Sequence, residues 1–263
     1  MNLSSLKKCF KSCVVIALAA LISACATVGQ NNSGSNSDIY NETAVTARAR
    51  AHTDLGAAYY QQNNLEIALN EFAHAANIDP NFAQAFNGLG LVYAALGEDA
   101  KADANYKKAI ELQPRSSESH NNYGSFLCSR KRYDESIPHF LEAVKNPLYG
   151  TPHLAYANAG ICSARKNDNK NAEIYLNKAL QIEPLTHSAA TQLAEIQLNR
   201  GDATTAQKTL QNALVASPSA ETLWLGIKIA RALGDKDNVS SYALQLRQQY
   251  PNSEQTRLLL GGK

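Results

Sequence analysis

The sequence predicts an all-α protein built from helical hairpins that repeat along the chain. Proline recurs at an interval close to 34 residues from residue 80 to residue 251. Small and aromatic residues recur at matching positions between these prolines. An interval of this size is typical of repeats that each contain two helices. The recurring prolines are Pro80, Pro114, Pro147, Pro184, Pro218 and Pro251.

This interval is the signature of the tetratricopeptide repeat, or TPR. Repeat two shows the pattern most fully, with Leu89, Gly90 and Tyr93 in its first helix and Ala102 and Tyr106 in its second. Glycine and alanine let the two helices approach closely, and the aromatic rings fill the space between layers. Proline lacks an N–H donor, so it starts one helix or closes the previous one. We therefore predict a right-handed TPR superhelix, an α-solenoid, over residues 41–263. Its six repeats are expected at about 49–82, 83–116, 117–152, 153–186, 187–219 and 220–253, with a capping helix at 254–263.

The register of the repeats breaks in the middle and loosens at the end. Repeat three is longer than the others through Asn146–Leu154, and insertions in solenoids map to turns. We expect a longer loop there. Repeat five is one residue short, and repeat six matches the pattern weakly. Stacked repeats need a cap, and the consecutive leucines Leu258–Leu260 leave apolar surface on it that a partner could cover.

The N-terminus has the pattern of an export signal. Three lysines precede the apolar segment Val14–Ile22, which is too short to span a bilayer because a spanning helix needs about 20 residues. Ser23 and Ala24 then precede Cys25, and this ending resembles a bacterial lipobox. The resemblance implies cleavage of a signal peptide, residues 1–24, and acylation of Cys25. The alternative is an ordinary secretory signal that contains a cysteine.

The residues after Cys25 predict a tether and a location. Residues 25–40 are expected to form a lipidated flexible tether, because 26–40 are polar and lack apolar periodicity. Residue 26 is Ala rather than Asp, so the lipobox resemblance implies the outer membrane, with the domain facing the periplasm. Removing residues 1–24 leaves 22 basic and 23 acidic residues and a formal charge of −1. This near-neutral charge gives no electrostatic basis for nucleic-acid binding.

Two cysteines remain after the signal and the lipid site are assigned. Cys128 lies near the end of the first helix of repeat three, and Cys162 lies in the first helix of repeat four. Such helices are neighbours about 8–10 Å apart, and facing cysteines there could reach disulfide geometry in an oxidising compartment. We expect a disulfide that contributes roughly 3–4 kcal/mol. The alternative is two small buried apolar residues.

The segments around these cysteines carry a more specific resemblance. An exported TPR chain with NNYGSFLCSRKRYDES in repeat three, NAGICSARKND in repeat four and LISAC at the signal resembles the PilF/PilW family of type IV pilus biogenesis lipoproteins. The resemblance covers essentially the whole chain. It implies a pilotin, which carries the pilus secretin to the outer membrane and promotes or stabilises its multimer. Repeats five and six match less well, so no binding role is transferred to them.

The first helices of the repeats predict a concave binding groove. An asparagine amide has one acceptor and two donors, so it can pair with the backbone of an extended peptide without reading its sequence. The alternative is that these asparagines only cap contacts between helices. The basic turn Arg130–Arg132 is a second candidate patch, and its other interpretation is a solvated turn. The candidate groove residues are Tyr60, Gln61, Gln84, Asn87, Leu91, Asn121, Asn122, Ser125 and Asn158.

No pattern in the chain predicts catalysis. The six histidines include no metal-binding spacing such as HExxH, and phosphate-binding and nucleophile motifs are absent from the sequence. His120 stands where TPRs place a large core residue, which favours a packing role. We expect a monomer with no metal, cofactor or small-molecule substrate that binds the secretin protein. The other functions open at this point are a general periplasmic TPR adaptor and a factor that helps fold outer-membrane barrels.

Overall fold

A computed structural model describes residues 43–216 and 218–261, and the described part consists of thirteen helices and no strands. The predictions for the signal peptide, Cys25 and residues 25–40 lie outside the described residues. No helix in the described part is both long and apolar enough to cross a bilayer. The helices are α1 (Ala44–Gln61), α2 (Leu65–Ile78), α3 (Ala83–Ala95), α4 (Asp99–Leu112), α5 (Ser117–Ser129), α6 (Tyr133–Ala143), α7 (Pro152–Arg165), α8 (Asn169–Ile182), α9 (His187–Asn199), α10 (Ala203–Ala216), α11 (Ala220–Leu233), α12 (Lys236–Gln249) and α13 (Glu254–Gly261).

The first twelve helices form six hairpins, which confirms the predicted all-α solenoid. We call the first helix of each hairpin its A helix and the second its B helix. The A helices of successive hairpins pack against one another, whereas no Cα atoms of successive described B helices lie within 8 Å of each other. The stack is therefore tighter along the A helices, and these line its inner, concave side.

Glycines in the A helices of five of the six hairpins allow close approach to a neighbouring helix. A Cβ atom on Gly90 would lie 2.7 Å from the Tyr106 ring, and a Cβ on Gly124 would lie 2.9 Å from the Phe140 ring. Gly88 faces the preceding B helix, where a Cβ would lie only 2.2 Å from the Phe72 ring. These contacts are shorter than van der Waals separation, so no larger residue fits without moving an aromatic ring that the core holds in place.

The turn from A helix to B helix has the same backbone shape in all six hairpins. One residue in each turn is left-handed, with φ between 59° and 90°. Glycine adopts this conformation without strain, and asparagine tolerates it. Lys131 is the exception, because a lysine at φ 61° pays the steric cost of its Cβ. The six residues are Asn63, Gly97, Lys131, Asn167, Gly201 and Gly234.

Two segments depart from the regular repeat. Helix α1 begins at Ala44, before residue 49 where repeat one was predicted to start, and Thr43 caps it by accepting a hydrogen bond at 3.1 Å from the Thr46 N–H. Residues 144–151 separate α6 from α7, and this is the longest connection between described helices. At the other end, α13 covers the last hairpin through Leu259, while Leu258 and Leu260 stay exposed.

Candidate protein-binding groove

The four candidate asparagines come together as two pairs across neighbouring A helices. The Asn122 Nδ2 donates to the Asn87 Oδ1 at 3.3 Å, which joins α5 to α3. The Asn158 Nδ2 donates to the Asn121 Oδ1 at 3.1 Å, which joins α7 to α5. Asn87 is buried, and the other three are half-buried. The pairs tie repeats two, three and four together, and the Asn158 Nδ2 also lies 3.5 Å from the Ser125 hydroxyl.

A shallow cleft of about 260 Å³ lies beside these pairs, between repeats one and three. It brings together four of the candidate residues, Tyr60, Leu91, Asn122 and Ser125. Its floor is mostly apolar, and the polar groups of its lining side chains are one amide, two serine hydroxyls, two tyrosine hydroxyls and one guanidinium. Gln61, Gln84, Asn87, Asn121 and Asn158 are not part of its lining. The lining residues are Tyr60, Leu91, Ala94, Ala95, Tyr106, Asn122, Ser125, Phe126, Ser129 and Arg130.

The remaining two candidates lie away from the cleft. Gln61 is exposed at the end of α1. Gln84 is exposed near the start of α3, where its Nε2 donates to the Gln113 Oε1 at 3.5 Å. Ser125 is the most accessible polar residue of the cleft that sequence reasoning identified, and its hydroxyl donates to the Asn121 carbonyl at 2.9 Å.

Arg130 is the cation at the edge of the cleft. Its Nε donates to the Asp99 Oδ1 at 2.8 Å, and its Nη2 donates to the Ala94 carbonyl at 3.1 Å. The hydrogen bond from Arg130 lowers the pKa of the Asp99 carboxyl. The guanidinium also lies 5.3 Å from the centre of the Phe126 ring. Arg130 therefore joins repeat three to repeat two, and its charge is already partnered within the chain.

Arg132 makes a second link between the same two repeats. Its Nη1 donates to the Asp103 Oδ1 at 2.7 Å, and Asp103 also accepts from the Tyr123 hydroxyl and pairs with Lys107. Burial acts to raise the Asp103 pKa, but hydrogen bonds from Lys107, Arg132 and Tyr123 outweigh it and lower that pKa to about 2. Two of the three cations of the basic turn therefore form ion pairs within the chain, and the third, Lys131, is exposed.

Cys128 and Cys162 form a disulfide between α5 and α7, with their Cα atoms 5.9 Å apart. Both residues are buried, and they pack with Phe140 and Ala159. The bond closes a loop between residues 34 apart in sequence. The disulfide therefore crosses the same pair of A helices that Asn121 and Asn158 connect.

His120 is buried and makes a contact that the sequence does not reveal. Its Nε2 lies 3.0 Å from the Pro114 carbonyl, and its Nδ1 lies 2.8 Å from the His139 Nδ1. Since a carbonyl only accepts, His120 donates from Nε2 and its Nδ1 accepts from His139 when both rings are neutral. Burial, together with His120, lowers the pKa of His139. No group of three or more metal-ligating side chains is assembled among the described residues.

Comparison with known families identifies the class of protein. The family model described as TPR repeat matches residues 56–97, and two models described as tetratricopeptide repeat match residues 105–137 and residues 83–116 with 154–184. With the six hairpins, these matches define a TPR solenoid. TPR proteins are scaffolds for protein interaction rather than a family of enzymes.

Individual relatives identify the family. The chain is 30% identical over 244 residues to the type IV pilus assembly protein PilF of Pseudomonas aeruginosa, covering 92% of this chain and 95% of that protein. The solved structure of PilF matches with a TM-score of 0.74 at 30% identity over 84% of this chain and all of that one. PilW, described as a widely conserved type IV pilus biogenesis factor, matches with a TM-score of 0.72 at 32% identity over 81% and 98% of the two chains. The chain belongs to the PilF/PilW family of type IV pilus biogenesis TPR proteins.

Proposed function

We propose that this protein is an outer-membrane lipoprotein that acts as the pilotin of a type IV pilus. It is anchored through Cys25, faces the periplasm and binds the pilus secretin, which it delivers to the outer membrane and helps to multimerise. The observation that carries this proposal is the end-to-end similarity to type IV pilus biogenesis proteins. The export signal and the lipobox resemblance support the membrane location. The protein acts by binding and performs no chemistry.

The cleft between repeats one and three is the proposed binding surface. Tyr60, Leu91 and Phe126 offer an apolar floor, and Asn122 and Ser125 offer hydrogen-bonding groups beside it. The single cation at its edge is engaged with Asp99. Such a surface suits an extended segment with apolar side chains, whose backbone groups pair with the amide and the hydroxyl. It offers no charge to attract a strongly charged segment.

Deletion of the gene followed by membrane fractionation tests the pilotin role. We expect loss of heat-resistant secretin multimers and of surface pili. Secretin multimers that form normally and reach the outer membrane in the deletion strain would reject the role, and would favour a general periplasmic adaptor.

A matched pair of serines tests the binding surface. Ser125 and Ser240 are both exposed, and each hydroxyl donates to the carbonyl four residues earlier in its helix. Ser125→Arg places a long cation over the cleft, and we expect it to abolish secretin multimers. Ser240→Arg changes α12 in the same way far along the chain and should leave multimers intact. Equal thermal midpoints of the two variants would show that folding does not explain the difference, and equal multimer levels would exclude the cleft.

Cys25→Ser tests the anchor. The variant should be a folded protein recovered in the soluble periplasmic fraction, because acylation requires the thiol. Its recovery in the membrane fraction would count against lipid anchoring.

A further inference from the structure

The solenoid has two edges, and they differ in chemistry. We call the edge where each B helix ends and the next A helix begins the B-to-A edge. Hydrogen bonds link successive segments along it: the Thr46 hydroxyl donates to the Asp79 Oδ2 at 3.1 Å, and the Tyr250 hydroxyl donates to the Pro218 carbonyl at 2.8 Å. The opposite, A-to-B edge holds the six left-handed turns.

Large exposed aliphatic side chains concentrate on the B-to-A edge. Leu148 is 89% exposed and Val215 is 81% exposed, and these are the two most exposed large hydrophobic residues of the described part. On the A-to-B edge the most exposed aliphatic is Leu96, at 47%. Most turns there are polar or charged, as in the segments 130–132, 166–168 and 200–202. The exposed aliphatics of the B-to-A edge are Val45, Leu148, Leu154, Ile182, Leu185 and Val215.

Leu148 is held outward by a defined turn. The Asn146 Oδ1 accepts from the Leu148 N–H at 3.0 Å, and the Asn146 carbonyl accepts from the Tyr149 N–H at 3.1 Å. Pro147 occupies the turn between them, where its fixed φ is favoured. The connection of residues 144–151 therefore presents a leucine to its surroundings, and packing within the chain does not use it.

The chain enters the solenoid at this same edge. Thr43 and the start of α1 lie beside the α2–α3 turn, as the bond from Thr46 to Asp79 requires. Residues 25–42 separate that point from Cys25, a stretch that can extend to at most about 60 Å. A lipid on Cys25 is therefore joined to the solenoid at its B-to-A edge rather than at its A-to-B edge.

We infer that the B-to-A edge contacts the phospholipid surface to which the protein is anchored, with Leu148 as its deepest point. The inference rests on the proposed lipid anchor. Single aliphatic side chains that project from turns suit insertion between lipid head groups. Arg115 and Lys145 lie beside the Leu148 turn, where cations favour anionic lipids, although Glu142 pairs with Lys145. Lipid contact would fix the orientation of the solenoid and leave the concave cleft open to the periplasm.

Tryptophan quenching by brominated lipid tests this orientation. Trp224 is the single tryptophan of the chain, so Trp224→Phe removes the native tryptophan emission and any remaining signal comes from one introduced tryptophan. Leu148→Trp reports on the B-to-A edge, and Leu96→Trp is its matched control on the A-to-B edge. The lipidated full-length proteins are reconstituted into vesicles of phosphatidylethanolamine and phosphatidylglycerol, with and without bromine on the acyl chains. We expect bromine to reduce the emission of the Leu148→Trp variant about twofold and to leave that of the Leu96→Trp variant nearly unchanged.

The outcomes separate this inference from the proposed function. Equal quenching of the two variants on vesicles that retain the protein would overturn the membrane contact and leave the anchor standing. Failure of the protein to float with the vesicles would reject the anchor, and with it the inference. In a third outcome, brominated lipid does not quench the Leu148→Trp emission, but purified secretin shifts that emission to shorter wavelength. This result would assign the edge to a protein partner and overturn the lipid contact.

Discussion

Repeats two to four and repeats five to six are held together by different kinds of contact. In the central repeats, the junctions carry a disulfide, two asparagine pairs and the ion pairs of Arg130 and Arg132. These contacts are directional, and each requires its two helices in one relative position.

The last two repeats rely mainly on aliphatic packing. Their cores contain Leu210, Leu223, Ile227, Ile229 and Leu246, all almost completely buried. The polar contacts between their A helices are a Thr191–Thr222 contact at 3.3 Å and a Lys228–Glu195 pair at 3.4 Å. Apolar packing is non-directional and tolerates changes that conserve volume. The region expected to bind is therefore the one in which the relative positions of the helices are most tightly specified.

Removing the disulfide should have the largest effect on the stability of the central repeats. Cys128→Ala with Cys162→Ala should lower the free energy of unfolding by about 3–4 kcal/mol, because the bond no longer restricts a 34-residue loop in the unfolded chain. Denaturant titration measures the change. Reductant should shift the midpoint of the unsubstituted protein and leave that of the variant where it is. Equal midpoints of the variant and the oxidised unsubstituted protein would show that the bond does not stabilise the central repeats.

Alanine substitutions at two glycines test the difference in packing between the two regions. Gly88→Ala should cost about 2–3 kcal/mol, since its Cβ would lie 2.2 Å from the Phe72 ring. Gly226→Ala should change stability by less than about 1 kcal/mol, because its nearest neighbour is the end of the flexible Leu214 side chain at 3.0 Å and alanine favours the helix. Thermal unfolding measures both, and equal losses would contradict the contrast.

The Asp103 ion pairs should make the central repeats sensitive to acid. The pKa of Asp103 is lowered to about 2 in the folded protein, so its stabilising effect is present above the unfolded value of about 3.9 and is lost as pH falls toward 2. We expect a contribution of about 1 kcal/mol after allowing for solvent screening. Asp103→Asn should flatten the stability profile between pH 4 and about 2. A profile unchanged from that of the unsubstituted protein would show that the network adds nothing.

The left-handed turns give the smallest expected effect. Lys131→Gly should raise stability by about 0.5 kcal/mol, because glycine relieves the strain at φ 61° but adds freedom to the unfolded chain. Gly201→Lys, at the equivalent turn of repeat five, should lower stability by about 1 kcal/mol, since its φ is 90°. Denaturant midpoints check both signs, and a loss of stability in Lys131→Gly would refute the strain.

The helices can be predicted from the sequence because the pattern of buried residues lies within each repeat and does not depend on how neighbouring repeats pack. The 34-residue interval and the repeated glycines were enough to place the hairpins and the long connection before Pro152. The first turn of α1 lies before residue 49, the predicted start of repeat one, because the residues before the first consensus position carry no repeat signal. Ala44 follows a threonine cap that only the structure displays.

The contacts between repeats were less predictable, because they depend on which way each side chain points. Asn122 reaches Asn87 across 35 positions, whereas Asn158 reaches Asn121 across 37, since repeat three is longer. A shift of one residue turns a helical side chain by about 100°, so the interval alone cannot say which amides meet. The ion pairs of Arg132 depend in the same way on the direction of Asp103 on another helix.

The wide separation of successive B helices affects how easily the stack can change its curvature. Successive hairpins pack through contacts between A helices and between each B helix and the next A helix, but no Cα atoms of successive described B helices lie within 8 Å. The B-helix side of the stack therefore resists a change in curvature less than the A-helix side does. The disulfide between α5 and α7 restrains one junction of the stack, between repeats three and four. We therefore expect any change in curvature to fall on the junctions on either side, which would let the ends of the solenoid adjust to a large partner while the middle keeps its curvature.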